Sequence, residues 1–548
     1  MRKGSQVAAV VLALLLAWLV GYPLLMTLLE ALGGPRAWTL AHFAEFFGRR
    51  DEWLALWRSL WISAASVVLA AAVGIPLAFL FDRTEFPGRR FLGAVAALPV
   101  ALPPLVGVIA FLFLYGESGF ATRAVQGLLG LESPPWRLVG PGAILLVHAY
   151  SMYVYFYLFT RAGLARLDAA LLEAAASLGS SRTRTLWRVT LPLLRPAFAG
   201  AALLTFMTSL ASFSAPYLFG GSFRVMTTQI VASRLNNELA LAQVETVMLA
   251  ALAFLGLGAL RRADRAQAVG TGVRGVAPAR KRLESPLSRA AAGVFGWALA
   301  ILLLLPHAVL LLVSFVPPFT WLAEPFPPVL NLSNWSSLFT EPERLRPIGN
   351  SLWMAVAATL AALVLGVAAA RFATRRGRLS GLLEGLIAVP WAIPGTVFAV
   401  ALATTFSANQ PWLGRFVLIG TPWILPLAYV VRDLPLTGRA ALAGLRQLDP
   451  ALEEAAASLG AGRARRLARV TLPMLRPALA AGAGLAFITA LGDFIVSIVL
   501  YTYETRPISI EILSFLRLQD LGMAAVYGVL LMTASAAAFL LWGQGEGR

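Results

Sequence analysis

The chain has 548 residues, 59% of them apolar and 13% charged, with a mean hydropathy of +0.75, a formal net charge of +18 and no cysteine. Ordinary soluble domains carry about a quarter charged residues and fewer than half apolar ones, so a water-soluble protein of this make-up would expose large apolar patches and aggregate. The apolar content excludes a disordered chain, and the missing thiols exclude a disulfide scaffold, a cysteine nucleophile and cysteine-ligated metal; this is an all-α integral membrane protein.

A helix needs about 20 mostly apolar residues to cross a hydrocarbon core of about 30 Å. In chain order such windows fall near 7–31, 59–81, 91–115, 138–160, 197–219 and 243–260. A second set falls near 290–316, 350–372, 382–404, 417–436, 478–500 and 523–542, making about twelve spans in two groups of six. The first is too long for a signal peptide and has no small-residue cleavage site, so it is expected to be retained. The Pro-rich window 91–115 is a candidate for a break, which membrane helices tolerate where neighbours satisfy the freed backbone. Residues 261–289 hold no spanning run; rich in Arg, Gly and Ala, they read as a cytoplasmic linker between a first domain, 1–260, and a second, 290–548. Six is even, so both halves enter the membrane the same way round and the repeat is parallel.

Of the basic residues only Lys3 and Lys281 are lysines, and the arginines are unevenly placed. With the N-terminus inside, the inner segments hold 32 of the 45 basic residues, against 13 outside. This is the positive-inside pattern, with both termini cytoplasmic. It accounts for the net charge without a nucleic-acid partner.

A direct internal repeat stands out at an offset of 281. Residues 168–197 read DAALLEAAASLGSSRTRTLWRVTLPLLRPA and residues 449–478 read DPALEEAAASLGAGRARRLARVTLPMLRPA, identical at 22 of 30 positions. Elsewhere the halves share scattered features, such as Arg58-Ser59-Leu60-Trp61 against Asn350-Ser351-Leu352-Trp353, and Pro99 and Pro103 against Pro390 and Pro394. Within the repeat, Asp168 and Asp449 suit an N-cap and Pro450 a first helical turn. Leu171, Ala175 and Leu178, like Leu452, Ala456 and Leu459, form one apolar stripe. Gly179 and Gly460 suit the left-handed position that ends a helix. A basic helix then carries Arg182, Arg184 and Arg188, or Arg463, Arg465 and Arg469, up to Pro192 or Pro473. Positive-inside placement explains those arginines. It does not explain why Glu-Ala-Ala-Ala-Ser-Leu-Gly is kept twice while the rest has drifted, and a partner docking on both copies does.

Glu-Ala-Ala, a Gly six residues after the Glu, and Leu-Pro after a short gap resemble the signature loop of binding-protein-dependent ABC importer permeases of the MetI-like class. Glu173, Ala174, Ala175, Gly179 and Leu191-Pro192 match it in the first half; Glu454, Ala455, Ala456, Gly460 and Leu472-Pro473 match it in the second. The resemblance covers essentially the whole chain as two fused permease domains. It implies that each loop forms a coupling helix seated on one of two cytoplasmic ABC ATPase subunits. It also implies a solute-binding protein delivering cargo from outside, in a bacterial inner membrane. ATP and magnesium would be used by the partner ATPase, because this chain has no G-x-x-x-x-G-K-[ST] loop and neither lysine has that context.

No catalytic or metal site is expected. His42, His148 and His307 lack ligand spacing, and neither H-E-x-x-H nor G-x-S-x-G occurs. Ionisable residues within spans are functional candidates because they are costly in lipid. Glu384 lies near the inner end of its span and can snorkel. Asp493 sits deeper and aligns with Ser212, so both are candidate pathway residues; a hydrogen-bonded carboxylate in a helix interface is the competing reading. Trp391, Tyr217 and Phe213 read as packing or belt aromatics. A secondary transporter would need ion relays that these spans do not supply, and an intramembrane enzyme would need paired acids or histidines. The single-chain fusion resembles ferric-iron permeases and, less closely, thiamine permeases. Ser212-Phe213-Ser214-Ala215-Pro216, Gly220-Gly221 and Thr227-Thr228-Gln229 are similar to the iron members. Polyamine, phosphonate and sulfate permeases share the loop and stay open.

Overall fold

The computed structural model describes residues 3–34, 38–267, 278, 280–283, 285–323, 328–374 and 377–543. The principal helices of the first half are α1 (Gln6–Ala31), α2 (Arg50–Arg83), α3 (Pro104–Tyr115), α4 (Pro141–Leu164), α5 (Ala169–Ser177), α6 (Arg195–Leu210), α7 (Met226–Leu235) and α8 (Leu239–Gln267). The second half repeats the order: α9 (Pro286–Val313), α10 (Pro342–Ala373), α11 (Arg378–Ala392), α12 (Gly395–Thr405), α13 (Ile424–Gln447), α14 (Pro450–Ser458), α15 (Leu472–Leu491), α16 (Ile508–Arg517) and α17 (Leu521–Gly543). Proline opens α3, α4, α9, α10 and α14. There its missing N–H is one the helix would leave unpaired anyway.

Among the described residues nine helices are long and apolar enough to span a bilayer, or eleven if two bent pairs each count as one span. That differs from the twelve uninterrupted windows, for physical reasons. Window 382–404 is broken: Leu379–Ala392 and Gly395–Thr405 meet at 110°. Pro394 forces Ile393 into extended backbone (φ −110°, ψ 132°) and ends the helix. Window 91–115 breaks in the same way at Leu102, Pro103 and Pro104. Windows 197–219 and 478–500 stop at Leu210 and Leu491, and short helices resume at Ser214 and Ser497. Residues 182–193 also bend by 61° against α6. The helix of window 417–436, α13, starts at Ile424 and carries Arg432, Asp433 and Arg439. It is too polar to face lipid, and α10 and α15 cover it. Of the linker, 268–277, 279 and 284 lie outside the described residues, while α8 continues to Gln267 and α9 begins at Pro286.

The halves exchange their first helices. α1 lies on the broken span of the second half, where Trp18 Nε1 donates to Gly414 O at 3.0 Å and the indole meets Phe406 edge-on at 5.5 Å. Reciprocally, α9 packs on α3, and Tyr150 Oη donates to Leu303 O at 2.7 Å. The scattered Ser-Leu-Trp likeness has a purpose here. Ser59 Oγ accepts the N–H of Met226 at 2.7 Å, and Ser351 Oγ accepts the N–H of Ile508 at 2.8 Å. Each caps a helix start that apolar surroundings would otherwise leave unpaired. A two-residue parallel pairing joins β1 (Thr84–Glu85) to β2 (Lys281–Arg282), tying the linker to the first half.

Candidate functional site

Two features stand apart from packing: the duplicated loops and a polar centre between the halves. In the first loop Asp168 Oδ1 accepts the N–H of Ala170 at 3.0 Å, which starts α5. In the second, Asp449 Oδ1 accepts from Ala451 at 2.9 Å. Each helix lasts nine residues and buries none of them. Gly179 and Gly460 then take φ +74° and +79°. The following N–H reaches back over the turn, Ser180 to Ala175 O and Ala461 to Ala456 O, both at 3.0 Å. The left-handed step costs a side-chain-bearing residue about 1–2 kcal/mol, and glycine avoids it. A single π-turn follows in both copies, Leu186–Thr190 and Leu467–Thr471, before Pro192 and Pro473. Glu173, Ala174, Glu454 and Ala455 are exposed, Ala175 and Ala456 half-buried. Leu178 and Leu459, at 88% and 89% exposure, stand almost free of the fold at the same place in both copies.

The two loops are held differently. Glu453 Oε1 accepts from Arg371 Nη1 at 3.0 Å and from Thr471 Oγ1 at 2.6 Å, clasping α14 to the end of α10 and to the π-turn. The Thr471 hydrogen bond and the Arg371 guanidinium hold this carboxyl below its ordinary range against some desolvation. In the first half Leu172 occupies the equivalent position, and the support is apolar: Leu164, Leu167 and Leu194 pack with Phe79 and Phe198. The Glu453 clasp escaped sequence reasoning because its arginine is 82 residues away.

At the centre, Phe213 and Phe494 have ring centroids 5.5 Å apart. These residues differ by the repeat offset, so a position meets its own equivalent and a pseudo-twofold axis runs between them. Tyr217 stacks on Phe213 at 5.0 Å and takes a hydrogen bond from Arg517 of the other half. Ser212 and Asp493 flank this aromatic pair. Ser212 Oγ lies 2.9 Å from His148 Nε2, and His148 Nδ1 lies 2.9 Å from Ser66 Oγ. Asp493 is more heavily engaged. Its Oδ2 pairs with Arg432 Nη1 at 2.9 Å, while Oδ1 accepts the N–H groups of Val496 (2.9 Å) and Ser497 (3.1 Å). The carboxylate thus caps the short helix after the break, which is the interface geometry weighed above against a pathway role. Beside it Asp433 is fully buried, with neither oxygen in a hydrogen bond to protein.

Glu384 pairs with Arg446 at 2.8 Å, both half-exposed. Trp391 lies under the Arg439 guanidinium at 4.7 Å. A second buried acidic group was not foreseen: Glu52 accepts from Gln229 at 2.9 Å and Glu245 from Ser233 at 2.6 Å. Among the described residues no group of three or more His, Asp or Glu is placed to hold a metal ion.

Residues 70–268 and 362–543 both match the family described as binding-protein-dependent transport system inner membrane component. The chain is 30% identical over 542 residues to the probable ABC transporter permease protein y4fN of Sinorhizobium fredii, covering 96% of this chain and 95% of that one. It is 28% identical to the ferric transport system permease protein FbpB of Actinobacillus pleuropneumoniae, over 90% of this chain and 71% of FbpB. Over 37% of this chain and 78% of the relative it is 33% identical to the molybdenum transport system permease protein ModB of Mycobacterium bovis.

Proposed function

This chain belongs to the family of binding-protein-dependent transport system inner membrane components, and we propose that it is the whole membrane pore of an ATP-driven importer, with residues 1–260 and 290–548 as two permease halves joined by 261–289. Two cytoplasmic ATPase subunits dock, one on each duplicated loop. Glu173, Ala174, Ala175, Gly179 and Pro192 shape one contact, and Glu454, Ala455, Ala456, Gly460 and Pro473 the other. A solute-binding protein delivers cargo to the opposite face of the inner membrane, and both termini are cytoplasmic. ATP and magnesium act in the partner subunits.

The observation that carries this reading is the same helix, left-handed turn and π-turn built twice, with protruding leucines and no burial of its own. A helix that buries none of its own residues and is kept twice is best explained by two copies of one partner. ATP must favour one arrangement of the halves over the other. Closure of the ATPases pulls the loops, and the exchanged first helices turn each half against the other about the Phe213–Phe494 axis. Ser212 and Asp493 flank the path that opens there.

Ferric iron is the proposed cargo. Its support is the likeness to FbpB across most of the chain, together with the Ser212–Pro216 and Thr227–Gln229 segments. Uptake of labelled ferric iron, molybdate and thiamine in cells with and without the gene, each under starvation, tests it. Loss of iron uptake alone supports the assignment. Loss of another solute's uptake alone overturns iron and keeps the importer.

A further inference from the structure

A cavity of about 310 Å³ opens at the end of the bundle that carries the duplicated loops. Arg89, Arg90, Arg161 and Arg280 line it, and Gly93, Ala94 and Ala97 leave its wall smooth. Neither the transport cycle nor ATPase docking uses these residues. Guanidinium groups gathered round a cavity repel one another unless an anion joins them, and the fold holds two of these firmly. Arg89 is 8% exposed and donates from Nη1 to Phe81 O at 2.6 Å. Arg161 donates from Nη1 to Tyr157 Oη at 3.2 Å. The Nε of each is buried without a hydrogen-bond partner in the protein. Among the described residues the acid at ion-pair distance is the half-exposed Glu85, 3.3 Å from Arg89 Nε but misaligned for a hydrogen bond. That contact leaves the buried Nε groups of Arg89 and Arg161 without a hydrogen-bond acceptor.

The surroundings narrow the ligand. Arg280 comes from the linker, next to β2, which pairs with β1 of the first half. Arg90 adjoins Phe91, whose ring tilts against Trp297 at 5.9 Å, and both are more than half exposed on the apolar flank of the bundle. An aromatic pair at the edge of a basic hollow is suited to the boundary between headgroups and acyl chains. Planar guanidinium forks match phosphate oxygens two at a time.

We propose that this cavity binds a phosphate group, carried by an anionic phospholipid or free in solution, which pins Arg280 and the linker to the first half. The bound phosphate accepts from Arg89 and Arg161 within the wall and from Arg90 and Arg280 at the rim. The flanking Phe91 and Trp297 favour the lipid.

The test uses the full chain, delipidated in phosphate-free maltoside micelles, and reads binding by native mass spectrometry and by melting temperature. One arm adds phosphatidylglycerol and the other adds inorganic phosphate. Arg89 is buried and its loss could unfold the site, so the variant is the exposed pair R90Q/R280Q. R50Q/R137Q, which removes the same charge at the opposite end, is the control. Affinity should fall about thirtyfold in R90Q/R280Q, roughly fivefold for each arginine removed, and stay unchanged in R50Q/R137Q. A response to phosphatidylglycerol alone assigns the site to lipid; saturation by inorganic phosphate assigns it to the free anion. If neither ligand distinguishes the wild-type chain from R90Q/R280Q, the proposal is wrong.

Discussion

Replacement of the two turn glycines separates backbone strain from occupation of the docking space. Gly179 and Gly460 sit at φ +74° and +79°, and a Cβ built on either meets no atom within 4 Å. A side chain there clashes with nothing inside the chain, so the intrinsic cost is the left-handed backbone alone, about 1–2 kcal/mol per site for alanine. Asparagine, which tolerates this region, costs less. With both sites changed, alanine weakens the docking-competent turn by about 2–4 kcal/mol, a loss of roughly thirtyfold or more in coupling. Asparagine should leave most transport intact. Arginine adds to the strain a long charged side chain in the space a partner must fill, and should abolish coupling while the melting temperature stays within about 4 °C. The assay is ATP-dependent uptake in proteoliposomes, with the amount of ATPase co-purified as a second readout. Wild-type transport by the Gly179→Arg, Gly460→Arg double variant would refute the reasoning. So would equal loss in the asparagine and arginine variants.

Four further outcomes follow from named contacts. Glu453→Gln should loosen the second loop by about 1–2 kcal/mol, seen as faster hydrogen exchange over 450–471 with no change over 169–190. Because the Thr471 hydrogen bond and Arg371 hold the Glu453 carboxyl below its usual range, the clasp is complete above the unfolded value of about 4.3. It weakens only as pH falls through the lowered folded value, while the first loop, with Leu172 there, shows no such step; a step in both loops would contradict this. Asp493→Asn strands Arg432 beside a buried partner and should cost about 2–3 kcal/mol of stability, partly recovered by adding Arg432→Gln; strict additivity of the two in thermal melts would argue against the pair. Phe213→Ala and Phe494→Ala, equivalent across the axis, should each raise passive leakage of solute into ATP-free liposomes to a similar extent, and a leak confined to one of them would break the symmetry argument.

Composition revealed the class and most of the membrane passes, because a run of about 20 apolar residues is a local property. Where the structure departs from the windows, the cause is local too, but of another kind. Pro394 turns one window into two helices at 110°, and hydropathy does not register a backbone break. α13 shows the opposite failing: Arg432 and Asp433 make it too polar as a free helix, yet α10 and α15 cover it. The repeated loop was legible down to its caps and glycine turns, since capping needs only residues two or three apart. What escaped depends on distant partners. Asp493 could be singled out, but its partner Arg432 is 61 residues earlier, and the residue bonded to Ser212, His148, is 64 earlier. The four-arginine hollow draws on α4, the segment after β1 and the linker, and each arginine by itself satisfies the positive-inside pattern.

The central claim, that both loops carry ATPase subunits, has a direct test that the composition makes clean. The chain has no cysteine, so Glu173→Cys and Glu454→Cys each introduce a single thiol. A short thiol-to-amine crosslinker is applied to the complex isolated from native membranes, with Trp412→Cys at an exposed site on the opposite end as the control. The account predicts that both loop variants crosslink to an ATPase subunit, that ATP changes the yield, and that the control does not crosslink to it. Absence of an ATPase adduct from both loops, in a complex that still hydrolyses ATP, would contradict it.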